Sequence, residues 1–167
     1  MLVNKIFHCT YCTNIHDGEN WETTFNNLKA HIPVVKKEVA TDVSFGIGLR
    51  LSNKASEELQ NENNLLHFKQ WLDTNNLYVF TMNGFPYGNF HNEIVKDLVH
   101  APDWTTTKRV IYTKRLFNQL AYLLPEEQEG GISSSPISYK HWHNTENAKE
   151  KVLKTGAKNL ATIVLHL

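Results

Sequence analysis

The stretch best equipped for chemistry is LYVFTMNGFPYGNFH, residues 77–91. It opens with an apolar run typical of a buried parallel strand. It then breaks at two glycines and a proline, which strands seldom contain. Asn83, Tyr87 and His91 follow the break. Polar groups just beyond a buried strand are how α/β enzymes build a binding site at the edge of a sheet.

Similar candidates lie near other predicted strands: His8, Asn14, His16, Arg50 and Tyr139. A guanidinium is costly to bury unpaired, so Arg50 either grips a phosphate or carboxylate or forms an internal ion pair. Asparagine amides bind sugar-like hydroxyls or stabilise turns, and tyrosines offer a flat face for stacking. Together these eight residues predict a site for a small polar metabolite.

Metal and thiol chemistry have less support in the sequence. His8, Cys12 and His16 suggest a zinc site, but zinc in a structural site needs four ligands and no nearby cluster supplies the fourth. Cys9 and Cys12 form a C-x-x-C, yet they lie along a predicted strand, so we expect two buried thiols. No predicted strand end carries the aspartate or glutamate that a proton-abstracting enzyme uses. We therefore predict no metal or other cofactor in this chain.

The composition narrows the class of protein and its partners. The chain has 167 residues, with 17 lysines and arginines against 17 aspartates and glutamates. This balance gives no electrostatic argument for binding nucleic acid or an anionic membrane. No apolar run approaches the roughly 20 residues that span a bilayer, so we predict no membrane insertion. Two cysteines and no export signal favour a cytoplasmic location for a single α/β domain.

Strands and helices alternate along the sequence. Strands are predicted over residues 5–11 and 45–51, from 77 onward, and over 129–133. Helices are predicted over residues 20–39, from a cap at Ser52-Asn53 to about residue 74 with its clearest part over 65–72, around 92–99, over 105–124 and over 145–167, with a turn at residues 101–103. Pro33 should kink or divide the first helix, and residues 161–167 could form a strand instead of the end of the last helix. The result is four βα units, as in a doubly wound sheet or a (β/α)₈ barrel.

Four βα units are half of a (β/α)₈ TIM barrel. The last helix also stops on an apolar run without a capping glycine or polar tail. We therefore expect residues 1–167 to be the N-terminal half of a longer barrel. A half-barrel that self-associates through its two exposed sheet edges is the alternative.

Four sequence blocks carry a resemblance to a known family: HCTYCTNIHDGENWETTFNNL, FGIGLRLS, LYVFTMNGFPYGNFHNEIVKDLVHAPDW and SSSPISYKHW. They resemble successive blocks of the EboE metabolite traffic family, whose members are xylose-isomerase-like (sugar phosphate isomerase/epimerase-like) TIM barrels. The resemblance implies a full barrel that processes or delivers a small metabolite of a bacterial gene cluster, with other proteins of that cluster as partners. Related barrels hold a divalent metal through carboxylates and a histidine of later strands.

Two classes of function follow from this resemblance. One is an isomerase or epimerase that moves a proton beside a carbonyl, which needs a carboxylate base and usually a metal. The other is a non-catalytic carrier that escorts a metabolite on the same scaffold. A third reading is a fragment with no function of its own, and fold alone does not choose among the three.

Overall fold

A computed structural model describes residues 1–4, 6–88 and 96–167. Six strands and five helices occur in this part of the chain. The strands are β1 (Leu2–Val3), β2 (Phe7–His8), β3 (Thr10–Cys12), β4 (Phe45–Arg50), β5 (Leu77–Asn83) and β6 (Gly131–Ser133). The helices are α1 (Trp21–Val39), α2 (Asn53–Leu59), α3 (Glu62–Thr74), α4 (Thr107–Leu123) and α5 (Glu146–Val164).

The main sheet has the strand order β3-β4-β5-β6, and every neighbouring pair is parallel. Each strand is followed by helix, so the predicted α/β class and its four βα units are confirmed. The strands lie side by side in chain order, whereas in a doubly wound sheet the order reverses at a switch point. The edge strands are β3 and β6, each three residues long.

One face of the sheet carries the core. Phe45, Ile47 and Leu49 of β4 are buried in a single apolar cluster with side chains from α1, α2, α3 and α4. A smaller cluster around Trp104 and Ile163 joins α4 to α5. Because alternate residues of a strand point to opposite faces, the helices α1 to α4 pack on the same side of the sheet.

The other face, which we call the glycine face, includes Gly46, Gly48 and Arg50 of β4. Its neighbours in register are Thr10 and Cys12 of β3, Thr81 and Asn83 of β5, and Gly131 and Ser133 of β6. A Cβ on Gly46 would lie 3.2 Å from the Phe80 ring, and one on Gly48 would lie 2.9 Å from Thr10 Oγ1. Side chains of β3 and β5 thus lie above the backbone of β4, as they do on the concave side of a curved sheet. The two glycines provide the space for them.

The first predicted strand, residues 5–11, was wrong in extent. Phe7–His8 pairs antiparallel with Leu2–Val3, and only Thr10–Cys12 enters the main sheet. Asn4 adopts a left-handed φ of 52° at the hairpin turn, a conformation that asparagine tolerates better than most residues. Cys9 and Cys12 are both exposed free thiols, which corrects the expectation that they are buried.

The helices follow the predictions with three differences. α1 begins after Asn20, whose side chain accepts a hydrogen bond from the Thr23 N–H, and it continues through Pro33 without being divided. The second predicted helix is two helices, because the first ends at Leu59 with Gln60 as its C-cap and Asn61 caps the next. Of the predicted helix around residues 92–99, the described part is a 3-10 turn, Lys96–His100, and 92–95 lie outside the described residues. The last segment is helical to Val164, so its strand alternative is wrong.

We expect Gly84→Ala to destabilise the fold by about 1–3 kcal/mol. A Cβ there would lie 2.9 Å from Ile132 Cγ2 and 3.0 Å from the Ser133 carbonyl oxygen, which is held in place by its hydrogen bond from the Gly84 N–H at 2.9 Å. Gly131→Ala is the matched control, because no atom lies within 4 Å of its Cβ position. Urea denaturation of both variants measures the difference, and an equal effect of the two substitutions would contradict this packing.

Candidate binding site at the carboxyl edge of the sheet

The structure brings most of the predicted site residues to one edge of the sheet. Asn14 and His16 follow β3, Arg50 and Asn83 are the last residues of β4 and β5, Tyr87 follows β5, and Tyr139 follows β6. The carboxyl ends of parallel strands share an edge, so these residues belong to one end of the sheet. His91 lies outside the described residues.

His8 is the exception. It precedes β3, so it lies at the amino edge of the sheet, where its Nδ1 is 2.8 Å from the Tyr78 hydroxyl. With Gln128 it lines a cavity of about 420 Å³ at that edge. The zinc site suggested by His8, Cys12 and His16 is thereby split between opposite ends of β3. Within residues 1–4, 6–88 and 96–167, no three histidine, cysteine, aspartate or glutamate side chains are grouped to hold a metal ion.

Arg50 joins two loops rather than projecting freely into solvent. It is buried, and its Nη atoms donate to the carbonyls of Gly18, at 3.2 Å, and Gly88. Its own backbone N–H donates to Thr13 Oγ1 at 2.9 Å. Burial lowers the pKa of Arg50, and Tyr112, Glu19 and Asp17 oppose the shift. The guanidinium therefore fixes the loops after β3 and β5 relative to each other.

Asn83 is the residue best placed to meet a ligand. Its Oδ1 accepts the Phe85 N–H at 3.0 Å and the Ser133 hydroxyl at 3.2 Å, which fixes the plane of the amide. In the described part of the chain its Nδ2 makes no hydrogen bond, and the side chain is partly exposed on the glycine face. Asn83 therefore both stabilises its turn, as asparagine often does, and offers a positioned donor.

The other predicted residues contact protein groups. His16 Nε2 is 3.0 Å from the Tyr11 hydroxyl, and its ring stacks on His31 with centroids 4.3 Å apart. Tyr87 packs edge-on against Tyr112, 5.1 Å away, on the side of the loop that faces the helices. Burial raises the pKa of Tyr87. The Arg109 guanidinium lies 5.7 Å from the centre of the Tyr87 ring, so this ring is already in contact with two protein groups.

Tyr139 belongs to an aromatic cluster at the β6 end of the edge. It stacks on His100 at 5.1 Å and contacts Trp142 at 5.6 Å. Trp142 Nε1 donates to Asp97 at 3.0 Å, which ties the loop after β6 to the 3-10 turn. His100 is half-buried here, and its Nδ1 is a buried atom without a hydrogen-bond partner in the described structure.

Arg109 is the most important residue that the sequence reading missed. It is fully buried in α4, and it donates to the carbonyls of Pro102 at 2.8 Å, Gly84 at 2.7 Å and Phe85 at 3.1 Å. Burial lowers its pKa, with Tyr112, Tyr87 and Asp103 opposing the shift. Gly84 and Phe85 belong to the loop after β5, so one α4 side chain holds the centre of the candidate site.

The polar stripe of α4 continues beyond Arg109. Tyr112 donates to the Leu51 carbonyl at 2.6 Å, and its burial raises the pKa to about 12. Arg115 donates to Glu57 at 3.2 Å and to Ser56 at 3.0 Å. Gln119 donates to the Ser56 carbonyl at 2.7 Å. The sequence does contain a signal for this stripe. The four residues recur at intervals of three or four along TKRVIYTKRLFNQ, which places them on one face of the helix, and in the structure that face is buried.

A second polar network centres on Asp103, a buried carboxylate that the sequence reading placed in a turn. It accepts hydrogen bonds from the Ser138 hydroxyl, the Thr105 hydroxyl and the Thr105 N–H. Burial alone would raise the pKa of Asp103, but these hydrogen bonds, with His143 nearby, lower it below its ordinary value. His143 Nε2 is 2.8 Å from Ser138 Oγ.

The order of this network does not match that of a serine nucleophile activated by histidine. Ser138 gives its proton to Asp103, so its Oγ can only accept from His143, whose Nε2 must carry a proton. In a catalytic triad the histidine accepts the serine proton and the carboxylate binds the histidine. Asp103 and His143 therefore hold Ser138 and the β6 loop in place.

Comparison with known proteins finds no matching family model, no matching curated protein and no matching solved structure. None of the helices in the described residues combines the length and apolar character needed to cross a membrane.

We expect Arg109→Met to destabilise the protein by about 2–4 kcal/mol, because it leaves the Gly84, Phe85 and Pro102 carbonyls without their donor. Lys108→Met makes the same chemical change at the adjacent exposed residue and should stay within about 0.5 kcal/mol. Chemical denaturation measures both. Similar losses of stability in the two variants would show that Arg109 contributes no more than a positive charge, which Lys108 also carries, and would contradict the role of its hydrogen bonds.

Asp103 makes stability depend on pH in the acid range. Its folded-state pKa is depressed, so its contribution is present above the unfolded-state value of about 3.9 and is lost as pH falls through the folded pKa. Asp103→Asn should cost roughly 1–3 kcal/mol near pH 7, and the gap to the natural protein should narrow below about pH 4. Asp73→Asn, on the exposed side of α3, is the control, and thermal melts across this range should show no such gap for it.

Proposed function

We propose that this chain is half of a sugar-phosphate-isomerase-like TIM barrel of the EboE type, and that its carboxyl edge forms one wall of a site for a small polar metabolite. The observation that carries the proposal is the strand order, β3-β4-β5-β6 in chain order with α1 to α4 on one face. A barrel is wound in this way, with one face of every strand turned inward. The glycine face is then the barrel lining.

Hydrogen bonding supports a polar, hydroxylated ligand. Asn83 offers its Nδ2, and Ser133 offers the lone pairs of an exposed hydroxyl that already donates to Asn83. The buried cations of the edge have carboxylates close by: Arg50 has Asp17 and Glu19, Arg109 has Asp103, and Arg115 has Glu57. Because these charges largely offset one another, hydrogen bonding rather than net charge should select the ligand.

Binding by this half of the site is better supported than catalysis by it. Proton abstraction beside a carbonyl needs a carboxylate free to accept a proton. Asp103, the buried carboxylate of the edge, already accepts hydrogen bonds from Thr105 and Ser138. In an isomerase or epimerase the base, and any divalent metal, would come from the other half of the barrel. In a carrier neither would be needed.

The other half of the barrel has two potential sources. It is either four further βα units, as the resemblance implies, or a second copy whose edge strands pair with β3 and β6. Sedimentation of the protein at increasing concentration separates the two, since only the second arrangement makes the 167 residues dimerise through these edges. Proteins of the same gene cluster remain proposed partners in either case.

The binding proposal is tested by titrating ¹⁵N-labelled protein with a pentose, a hexose and their phosphate esters. We expect saturable chemical-shift changes at the Asn83 side-chain amide and at the backbone amides of Gly84 and Ser133. Asn83→Ala should weaken binding by about tenfold, the value of one well-placed hydrogen bond.

Asn76→Ala is the matched control for that substitution. Asn76 precedes β5 at the amino edge and has a φ of 52°, so alanine there also costs stability without touching the site. The control should bind as tightly as the natural protein. Shifts confined to the amino edge, or equal losses in the two variants, would contradict the proposed site.

A further inference from the structure

The hydrogen bond between Ser133 and Asn83 determines which protons remain at the carboxyl edge. Asn83 Oδ1 accepts the Phe85 N–H at 3.0 Å, and a backbone N–H can only donate, so this atom of the amide is its oxygen. The Ser133 hydroxyl lies 3.2 Å from the same oxygen and must therefore donate to it. In the described part of the chain two groups are then left for a ligand. They are Asn83 Nδ2, which can only donate, and the lone pairs of Ser133 Oγ, which can only accept.

These two groups are close enough to bind the same ligand oxygen. The oxygen and nitrogen of an amide are about 2.3 Å apart, so Asn83 Nδ2 is at most about 5.5 Å from Ser133 Oγ. One oxygen at hydrogen-bond distance from each, about 2.9 Å from the nitrogen and about 2.8 Å from the hydroxyl, reaches across that separation. Asn83 and Ser133 thus form one subsite with a donor and an acceptor, which we call the Asn83–Ser133 pair.

A hydroxyl satisfies both members of the pair, because it can accept from Asn83 and donate to Ser133 at the same time. The oxygens of a carbonyl, a carboxylate or a phosphate ester dianion carry no proton, so they can bind Asn83 alone. Such a group engages Ser133 only if the serine proton leaves Asn83. That exchange replaces one hydrogen bond with another and adds none. The pair therefore favours a ligand hydroxyl over these other oxygens.

Open space lies beside the pair on the glycine face. Gly131 precedes Ser133 by two residues in β6 and therefore faces the same side of the sheet. It is exposed, and no atom of the described chain lies within 4 Å of its Cβ position. Its register partner is Thr81, two residues before Asn83 in β5. The carbon that carries a bound hydroxyl therefore has room over Gly131.

We propose that the Asn83–Ser133 pair binds a hydroxyl of the metabolite, with the adjoining carbon over Gly131. This inference rests on the proposed function and specifies its ligand as a polyhydroxylated molecule whose hydroxyl end meets this half of the site. A phosphate or carbonyl end then lies away from the pair, toward the proposed other half of the barrel. Ser133 is the specificity-determining residue, because it alone of the pair requires a proton from the ligand.

Ribitol is the probe, because all of its oxygens are hydroxyls, and sulfate is the comparison, because its oxygens can only accept. In the ¹⁵N-labelled full-length chain we expect ribitol to shift the Asn83 side-chain amide and the backbone amides of Gly131 and Ser133 saturably. Ribitol 5-phosphate should shift the same side-chain amide, since its phosphate lies away from the pair. Sulfate should bind there at least about fivefold more weakly than ribitol. Equal or tighter binding of sulfate at the Asn83 amide would overturn the proposal.

Ser133→Ala should weaken ribitol binding by about tenfold and remove the preference for ribitol over sulfate. The change in preference reports a contact with the ligand, which a merely structural role of the serine would not produce. Ser44→Ala is the matched control, because Ser44 is also exposed and donates to an asparagine oxygen, Asn76 Oδ1, at the amino edge. The control should bind ribitol as tightly as the natural protein. Equal losses in the two variants would refute the subsite.

Gly131→Val tests the open space. The fold should tolerate it, since the position is exposed and valine suits a strand, so the midpoint of urea unfolding should stay unchanged. Ribitol binding should weaken by about tenfold or more, because the side chain occupies the space of the ligand carbon. Full ribitol affinity in this variant would contradict the placement over Gly131.

One result would overturn the hydroxyl subsite and leave the proposed function standing. It is a Ser133→Ala protein that keeps its ribitol affinity and its preference over sulfate while Asn83→Ala loses pentose binding. The absence of any saturable shift with ribitol, a pentose and its phosphate ester would overturn both.

Discussion

The carboxyl edge of this sheet depends on one buried guanidinium. The loop after β5 leaves the sheet at Gly84, so the carbonyls of Gly84 and Phe85 lose the partners that a strand would supply. Arg109 of α4 donates to both, and also to Pro102 in the following loop. An unsatisfied buried carbonyl costs about as much as a lost hydrogen bond, so the loop could not pack onto α4 without such a donor. The fully buried cation is in turn acceptable because its donors are occupied.

Other side chains at the carboxyl edge also donate hydrogen bonds to loop carbonyls. Arg50 satisfies carbonyls of the loops after β3 and β5, and Tyr112 satisfies the carbonyl of Leu51 after β4. Asn83 and Asp103 act in the opposite sense, because their side-chain oxygens accept loop N–H groups. The loops after β3, β4 and β5 therefore each contain a backbone carbonyl that a side chain of another element satisfies. The loops gain a fixed shape, and a fixed shape is what a binding site needs.

The sequence predicted the architecture better than the site. Apolar runs and helical spacing located four βα units, because burial of one face imposes a period on each element. The edge position of Asn14, Arg50, Asn83 and Tyr139 followed from parallel pairing alone. The sequence did not reveal Arg109, because a charged residue on a helix usually indicates a solvent-exposed face. A buried arginine is favourable here only because the loop carbonyls lie within reach of its guanidinium, and their position is known only from the fold.

The sequence also did not show which residues contact each other. His8 and His16 are eight residues apart and seemed equivalent, yet β3 separates them to opposite edges of the sheet. Cys12 seemed a core thiol, although its register with Gly48 places it on the glycine face, where its own side chain is exposed. Asp103 seemed only a turn residue because Ser138, whose hydroxyl donates to its carboxylate, is 35 residues away in the sequence. Hydrophobic periodicity predicts one helix or strand at a time, so it does not predict which residues of distant loops contact each other.

The chemistry of the edge follows from how fully its polar groups are already used. A catalytic base or nucleophile must keep a lone pair or proton available for the substrate, whereas Asp103, Ser138, Arg109 and Arg50 all hydrogen-bond to protein groups. Asn83 keeps one donor while its oxygen is held by the backbone, an arrangement that orients a ligand without reacting with it. In the proposed barrel, an edge built in this way would position a metabolite, and any reaction would depend on groups from the proposed other half.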